Sequence, residues 1–147
     1  MKRACGIVSI ILVLTLLSAC GNKEASTKEN KSKITTAQQL AEKFKQEGLE
    51  VGDISEIEEY NAASRTAKEG VRILIPSLGE DAGGRVFTFD SKKDLEKLKS
   101  YYDKLGKEAG FLYSHTYAKG DFLLQMNGKM KKDQFKKYQE VMEKVID

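Results

Sequence analysis

The amino-acid sequence predicts an α+β domain over residues 35–147, an antiparallel sheet of about five strands with three helices in the order αβββαββα. Three segments carry apolar residues at helical spacing, and five others have the alternation or the β-rich composition of strands. The strands come in runs rather than alternating singly with helices. This grouping favours antiparallel hairpins, and we expect the helices to pack on one face of the sheet.

The first helix is predicted to begin after Thr35 or Thr36 and to end at Gly48. Gln38 or Gln39 follows three residues after the threonine, which is the pattern of a capping box. Gly48 supplies a C-terminal stop. One apolar stripe runs along this helix at Ala37, Leu40, Ala41 and Phe44.

Three strands are predicted next. The first has a break at Gly52 and Asp53, and the polar residues 58–68 follow it as a loop or an irregular edge. The second strand ends before Pro76, the only proline, and a glycine-rich turn over residues 77–84 leads into the third. The predicted bounds are 49–57, 71–75 and 85–89.

The second half of the domain is predicted to be helix, hairpin and helix. Asp90 or Ser91 caps a helix that ends at Gly106. Two strands, 111–117 and 122–126, are joined by a turn at residues 119–121. The final helix begins at about residue 132. The apolar stripes of the two helices are Leu95, Leu98, Tyr102 and Leu105, and Phe135, Tyr138, Met142 and Val145.

The chain opens with the three parts of an export signal, predicted over residues 1–19. Lys2 and Arg3 give a positive start, and residues 6–17 form an uncharged apolar run. A run of about a dozen residues is too short to span roughly 30 Å of hydrocarbon as a permanent helix. It has the length of a signal-peptide core.

Leu17, Ser18, Ala19 and Cys20 resemble the lipobox of bacterial lipoproteins. The resemblance implies that a signal peptidase cuts between Ala19 and Cys20, and that the Cys20 thiol carries a diacylglyceryl group. Two acyl chains are enough for stable anchoring. The expected location is the extracytoplasmic face of the cell membrane. The alternatives are an ordinary secretory cut or an uncleaved anchor helix, with Cys20 incidental.

Residues 20–34 are predicted to be the lipidated cysteine and a flexible tether. Residues 21–33 contain no apolar side chain larger than alanine, so they can bury little to offset the entropy of ordering. They would span at most about 45 Å when extended and roughly 20 Å on average. The domain should therefore lie close to the membrane.

Cysteine and charge counts narrow the chemistry of the mature chain. Cys5 lies in the signal and Cys20 would be a thioether, so the mature chain would have neither thiol nor disulfide. Of the 25 basic residues, Lys2 and Arg3 fall in the signal, which leaves 23 against 22 acidic residues. A net charge near +1 gives no argument for nucleic acid as a partner.

His115 is the single histidine, and it is predicted to lie mid-strand between Tyr113 and Tyr117. A general base needs a positioned partner and a zinc site needs three or four ligands. We therefore expect a structural or sheet-surface histidine. The alternative is a ligand groove lined by Tyr113, His115 and Tyr117. We expect no metal, no cofactor and no catalytic residue.

Other motifs favour structural interpretations. Residues 79–84 lack the GK[ST] ending of a phosphate-binding loop and the spacing of a calcium loop, so a hairpin connection is expected. No serine lies in a G-x-S-x-G elbow. A basic run near the last helix is expected to be a solvated face, and it consists of Lys129, Lys131, Lys132, Lys136 and Lys137.

Residues 89–130 resemble small lipoproteins of Bacillus and relatives that prophages or plasmids often carry, and the similarity extends over roughly residues 36–145. The residues that carry the likeness are Tyr101, Tyr102, Gly106, the Ser114-His115 pair and the segment 122–128. The resemblance implies a lipid-anchored α+β domain on a Gram-positive membrane, and it implies no defined chemistry.

Three functions follow as hypotheses. The first is a membrane-proximal interaction module that excludes incoming phage or plasmid DNA at the cell surface by contacting a protein partner. The second is a small-ligand-binding or accessory envelope lipoprotein. The third is an envelope hydrolase, which we do not expect because the sequence carries no catalytic constellation.

Replacing Cys20 with serine tests the anchor. Cys20→Ser is expected to leave an uncleaved precursor without lipid, because serine cannot form the thioether. Labelling cells with a radioactive fatty acid measures this directly. Equal label on Cys20→Ser and on the wild type would contradict the lipobox assignment.

Overall fold

The computed structural model of the protein describes residues 33–61 and 63–147, so the predictions for Leu17, Ala19 and Cys20 lie outside the described residues. Within the described part, three α-helices and five strands follow one another in the predicted order αβββαββα, which confirms the fold class. Their bounds are α1 Ala37–Gln46, β1 Ile54–Glu56, β2 Glu69–Leu74, β3 Gly83–Thr88, α2 Lys92–Glu108, β4 Ser114–Lys119, β5 Phe122–Asn127 and α3 Lys132–Val145.

The five strands form one sheet in the order β1-β2-β3-β5-β4, and every neighbouring pair is antiparallel. The β2–β3 and β4–β5 hairpins were both predicted. The pairing of β3 with β5 joins the two halves of the chain, with Val86 opposite Leu124 and Phe87 opposite Leu123. This central pairing places the two most buried strands side by side.

The helices cover both faces of the sheet, so the expectation that they pack on one face is wrong. Val86 and Leu124 lie in a core cluster with residues of α1 and α3. Phe87 and Leu123 point to the opposite face and pack with residues of α2. The physical reason is that β3 and β5 are apolar at successive positions, and a strand that buries both faces needs a layer on each.

The larger core depends on how α1 begins and on where α3 lies. Thr36 and Gln39 form the predicted capping box, and the Glu69 carboxylate accepts a hydrogen bond from the backbone N–H of Ala37. The Phe44 and Tyr138 rings meet edge to face, with centroids 5.2 Å apart. These contacts fix α1 and α3 against the same side of the sheet.

The Tyr138 hydroxyl reaches from α3 to the segment before β1. It donates a hydrogen bond of 2.5 Å to the Glu50 carbonyl oxygen. Burial, and to a lesser extent the nearby Glu50 charge, raise the pKa of Tyr138 to about 12. The hydroxyl therefore stays protonated as a donor across the physiological pH range.

Two predicted strands are shorter in the structure. The first was predicted over 49–57, but β1 covers only Ile54–Glu56. The residues just before β1 pair with the end of β2 through two backbone hydrogen bonds. The Gly52 N–H donates to the Leu74 carbonyl, and the Leu74 N–H donates to the Asp53 carbonyl. Pro76 follows and has no N–H to donate, so a longer ladder cannot form there.

The strand predicted over 111–117 begins only at Ser114, and its first two residues belong instead to the 3₁₀ turn Gly110–Leu112. The N–H of Leu112 donates to the Ala109 carbonyl at 2.8 Å, and the N–H of Tyr113 donates to the Gly110 carbonyl at 3.2 Å. The preceding helix also runs past its predicted end at Gly106, to Glu108. Gly106 serves packing instead, because a Cβ there would lie 3.1 Å from the Tyr113 Cα atom.

The core assignments give a stability test on Leu98, Phe135 and Lys97. Leu98 is buried in the core on the α2 face of the sheet, and Phe135 is buried in the core on the α1 and α3 face. Lys97 is exposed on α2. Leu98→Ala and Phe135→Ala are each expected to lower the free energy of unfolding by about 2–5 kcal/mol. Lys97→Ala should change it by under about 0.5 kcal/mol. Urea unfolding of the three variants measures the differences, and comparable losses would contradict these helix faces.

Candidate functional site

The α2 face of the sheet is only partly covered. Helix α2 packs mainly against β4 and β5, and over β2 and β3 two adjoining cavities of about 240 and 310 Å³ open to solvent. Arg72 and Arg85 line both cavities. We call the two cavities together the arginine cleft, and it is the candidate site of the protein.

The sheet register explains why the two arginines meet. Arg72 on β2 is directly opposite Arg85 on β3, and Arg85 is opposite Gln125 on β5. Gln125 in turn is opposite Thr116 on the edge strand β4. Since alternate residues of a strand share a face, this polar row crosses the sheet on the side of α2. Two cationic side chains directly opposite each other on neighbouring strands repel one another.

The two arginines differ in how their charges are balanced. Arg72 donates from Nη2 to the Asp81 carbonyl oxygen at 2.6 Å, and the same nitrogen lies 3.6 Å from the Asp81 carboxylate. Arg85 donates to the Gln125 side-chain oxygen at 3.3 Å. Among residues 33–61 and 63–147, no carboxylate lies within ion-pair distance of Arg85. Among the described residues, the two guanidinium groups therefore share a single carboxylate at ion-pair distance, that of Asp81 beside Arg72.

Gln125 positions the Arg85 side chain from below. Its side chain is buried, its oxygen accepts from Arg85, and its Nε2 donates to the Ser114 hydroxyl at 2.9 Å. These partners settle the orientation of the amide, because the oxygen can only accept and the nitrogen can only donate. The guanidinium of Arg85 is thus directed by the protein while the residue stays exposed.

The two ends of the arginine cleft have different chemistry. One cavity is bordered by three glutamates and by apolar side chains, and these are Glu56, Glu58, Glu59, Ile57, Phe87 and Tyr102. The other is bordered by Phe111, Leu112 and Tyr113 together with the polar residues Asp81, Ser114, Gln125 and Asn127. Phe111, Leu112 and Tyr113 are exposed, to 89%, 42% and 44% respectively. The arginines lie between the three glutamates of one cavity and the exposed apolar cluster of the other.

At the β4 end of the polar row, Asp103 links helix α2 to strand β4. The Asp103 carboxylate accepts from Thr116 at 2.6 Å and from Lys99 at 2.7 Å. Burial acts to raise the pKa of Asp103, but the hydrogen bonds from Lys99 and Thr116 outweigh it and hold the pKa below its usual value. The carboxylate is therefore ionised at neutral pH and fixes α2 over β4.

His115 lies on the other face of β4 and is 7% exposed. Its Nε2 is 2.7 Å from the Met130 carbonyl oxygen, which can only accept, so Nε2 carries the proton. Its Nδ1 is 3.2 Å from the Tyr113 hydroxyl and can accept from it. The ring stacks on Phe135 with centroids 4.9 Å apart. Both nitrogens are engaged by the fold, as in a structural histidine.

The three residues of the predicted groove therefore do not line one cavity. Tyr113 contacts His115 and borders the arginine cleft. Tyr117 packs against the α1–α3 core, and its hydroxyl donates to the Glu143 carboxylate on α3. Neither His115 nor Tyr117 lines the cleft.

Sequence reasoning missed the two arginines. A signal was present, because Arg72 interrupts the apolar run of its strand and Arg85 begins the next one. The sequence does not reveal the pairing register of β2 with β3, and it is this register that places the two arginines opposite each other. Single cations in separate strands gave no reason to expect a pair.

The glycine-rich loop and the basic run lie where the structural interpretation of the sequence predicts them. Residues 79–84 connect β2 to β3, as expected for a hairpin. All five lysines of the basic run are exposed: Lys129, Lys131, Lys132, Lys136 and Lys137. Within the described ranges, no group of three or more His, Cys, Asp or Glu side chains is arranged to hold a metal ion. None of the described helices has the length and apolar character needed to cross a bilayer.

Comparisons with protein-family models, curated proteins and solved structures found no match to this chain. The relationship to the small Bacillus lipoproteins therefore stays a prediction from the sequence.

Replacing His115 with alanine tests its structural assignment. His115→Ala is expected to lower the free energy of unfolding by about 2–4 kcal/mol, because it removes the stacking on Phe135 and leaves the Met130 carbonyl without its donor. Tyr117→Phe is the control, and it should cost less than about 1 kcal/mol because it loses only a bond to an exposed carboxylate. Urea unfolding compares them, and an equal or smaller loss for His115→Ala would contradict a structural role.

Proposed function

We propose that the protein is a lipid-anchored interaction module on the extracytoplasmic face of a Gram-positive cell membrane, and that a protein partner docks at the arginine cleft. The observation that carries this proposal is the exposure of Phe111, Leu112 and Tyr113 beside the cleft. An exposed aromatic and aliphatic cluster next to arginine has the composition of the energetic centre of protein interfaces.

The backbone that carries the apolar cluster is ordered before any partner arrives. Hydrogen bonds of the 3₁₀ turn fix the backbone around Phe111 and Leu112, and Tyr113 packs closely against Gly106 and Gly128. A Cβ on Gly128 would lie 2.4 Å from the Tyr113 carbonyl oxygen, so only glycine allows this close approach. A surface that is already ordered loses less entropy on binding.

The groups in the arginine cleft suit binding better than chemistry. Arginine, glutamine and glutamate side chains orient a bound segment, and guanidinium groups do not lose protons at physiological pH. His115, the single histidine, uses both ring nitrogens for Met130 and Tyr113. This supports an interaction module over an envelope hydrolase.

The predicted anchor gives the interaction its place. A diacylglyceryl group on Cys20 and a tether over residues 21–33 would keep the cleft within a few tens of ångströms of the bilayer. The partner would then be a membrane protein or a molecule arriving at the membrane. Exclusion of incoming phage or plasmid DNA is the role that the resemblance to prophage and plasmid lipoproteins favours.

A small-ligand-binding or accessory lipoprotein is the second candidate. Cavities of about 240 and 310 Å³ approach the lower end of the range for small-molecule sites. They are open to solvent, however, and an enclosed ligand would need more of its surface buried. The exposed apolar cluster remains unexplained under this alternative, and we therefore place it second.

Replacing Phe111 with serine tests the docking surface in cells. Full-length protein with Phe111→Ser is expected to lose exclusion of phage or plasmid by about tenfold or more, because a central aromatic contact is worth 2 kcal/mol or more. Tyr101→Ser is the matched control, since Tyr101 is an exposed aromatic on α2 that lines neither cavity. Plating efficiency and conjugation frequency measure the effect at matched protein level.

Position on the membrane provides the second arm of the same assay. Deleting the signal through Cys20 should abolish exclusion, and replacing residues 21–33 with a Gly/Ser tether of equal length should preserve it. His115→Ala, compared at an equal amount of folded protein, should remain active. Absence of exclusion in the wild type would contradict the proposed role, and equal loss in Phe111→Ser and Tyr101→Ser would contradict the docking surface.

A further inference from the structure

We infer that the arginine cleft recognises an acidic side chain within an extended segment of the partner, seated between Arg72 and Arg85, with an apolar residue on one side of it and a basic residue on the other. The inference rests on the proposed function, because it names the chemistry of the segment that docks. It is argued from the charges that line the cleft and from their order along it.

The positive charges of Arg72 and Arg85 favour a carboxylate ligand. Arg72 and Arg85 are directly opposite on neighbouring strands, so each raises the electrostatic energy of the other. Asp81 relieves Arg72 alone, at 3.6 Å. A second carboxylate between the two guanidinium groups would relieve both, and the planar fork of arginine matches a carboxylate with paired hydrogen bonds.

The presentation of Arg85 supports the same conclusion. Its Nη1 is engaged by Gln125, which the Ser114 hydroxyl holds in turn. A guanidinium has five N–H donors, so this bond orients the group while further donors remain for a ligand. An oriented and exposed cation loses little entropy when an anion binds.

The three glutamates near the arginines disfavour phosphate. Glu56, Glu58 and Glu59 border the same cavity as the two arginines. A phosphate monoester at neutral pH carries close to two negative charges and would be repelled more strongly than a carboxylate, which carries one. The same three carboxylates would attract a lysine or arginine of the partner.

The order of groups along the cleft selects a side chain rather than a chain terminus. The arginines lie at the junction of the two cavities, with the glutamates on one side and Phe111, Leu112 and Tyr113 on the other. A segment that passes through can fill both cavities, whereas a terminal carboxylate seated at the junction leaves one cavity without an occupant. The complementary pattern is therefore basic, acidic and apolar along one strand of peptide.

Fluorescence anisotropy with synthetic peptides tests this pattern on the full-length chain in mild detergent. The probes are fluorescein-Lys-Gly-Glu-Gly-Phe-amide and its reverse order, fluorescein-Phe-Gly-Glu-Gly-Lys-amide, so that the glutamate side chain is the only carboxylate of the peptide portion. At least one order should bind, and changing its Glu to Gln should weaken binding about tenfold or more, the usual range for charge-assisted hydrogen bonds.

Arg85→Gln should weaken the same peptide by about tenfold or more. Lys136→Gln is the matched control, because it removes one positive charge from α3, on the opposite face of the sheet, and should leave binding within about twofold. Both positions are exposed, and equal melting temperatures verify that each variant is folded.

Four results would overturn the inference: no binding of either peptide order, equal binding of the Glu and Gln peptides, equal loss in Arg85→Gln and Lys136→Gln, or stronger competition by inorganic phosphate than by acetate. A free-terminus peptide, fluorescein-Lys-Gly-Gln-Gly-Phe, that binds better than the Glu peptide would assign the site to a chain terminus instead. If Phe111→Ser abolishes exclusion but neither peptide binds, the interaction module is supported and recognition of an acidic side chain is rejected. If the peptides bind but Phe111→Ser retains full exclusion, the proposed function is rejected.

Discussion

The pairing of β3 with β5 is the constraint on which the rest of the structure depends. It places Val86 beside Leu124 on one face and Phe87 beside Leu123 on the other, so apolar surface points both ways from the middle of the sheet. No single layer of helices can cover both faces. Helices α1 and α3 therefore pack on one side and α2 on the other, and the N-terminal and C-terminal halves of the domain are joined through this seam.

The same constraint produces the candidate site. One face has two helices, and the opposite face has α2 alone, which lies over β4 and β5. On the same face as Phe87 and Leu123, the uncovered part carries Arg72 on β2 and Arg85 on β3. Arg72 and Arg85 thus lie where a second helix would otherwise pack, and the cleft is a consequence of unequal coverage of the sheet.

Local sequence signals predicted the elements well, because caps and apolar stripes act within a few residues. The Thr36–Gln39 capping box and the stripes of the three helices appear as expected. Properties that depend on pairing across the chain were not predictable. Helix placement on both faces and the meeting of Arg72 with Arg85 require the register of β2, β3 and β5, and no short segment encodes that register.

Asp81 gives the arginine cleft an internal competitor. It lies in the loop between β2 and β3 with a left-handed backbone φ of 56° and holds its carboxylate 3.6 Å from Arg72. Because it belongs to the same chain, its effective concentration at Arg72 far exceeds that of dilute anions in solution. An incoming anion must therefore compete with Asp81 at Arg72, and an anion that brings additional contacts of its own competes best.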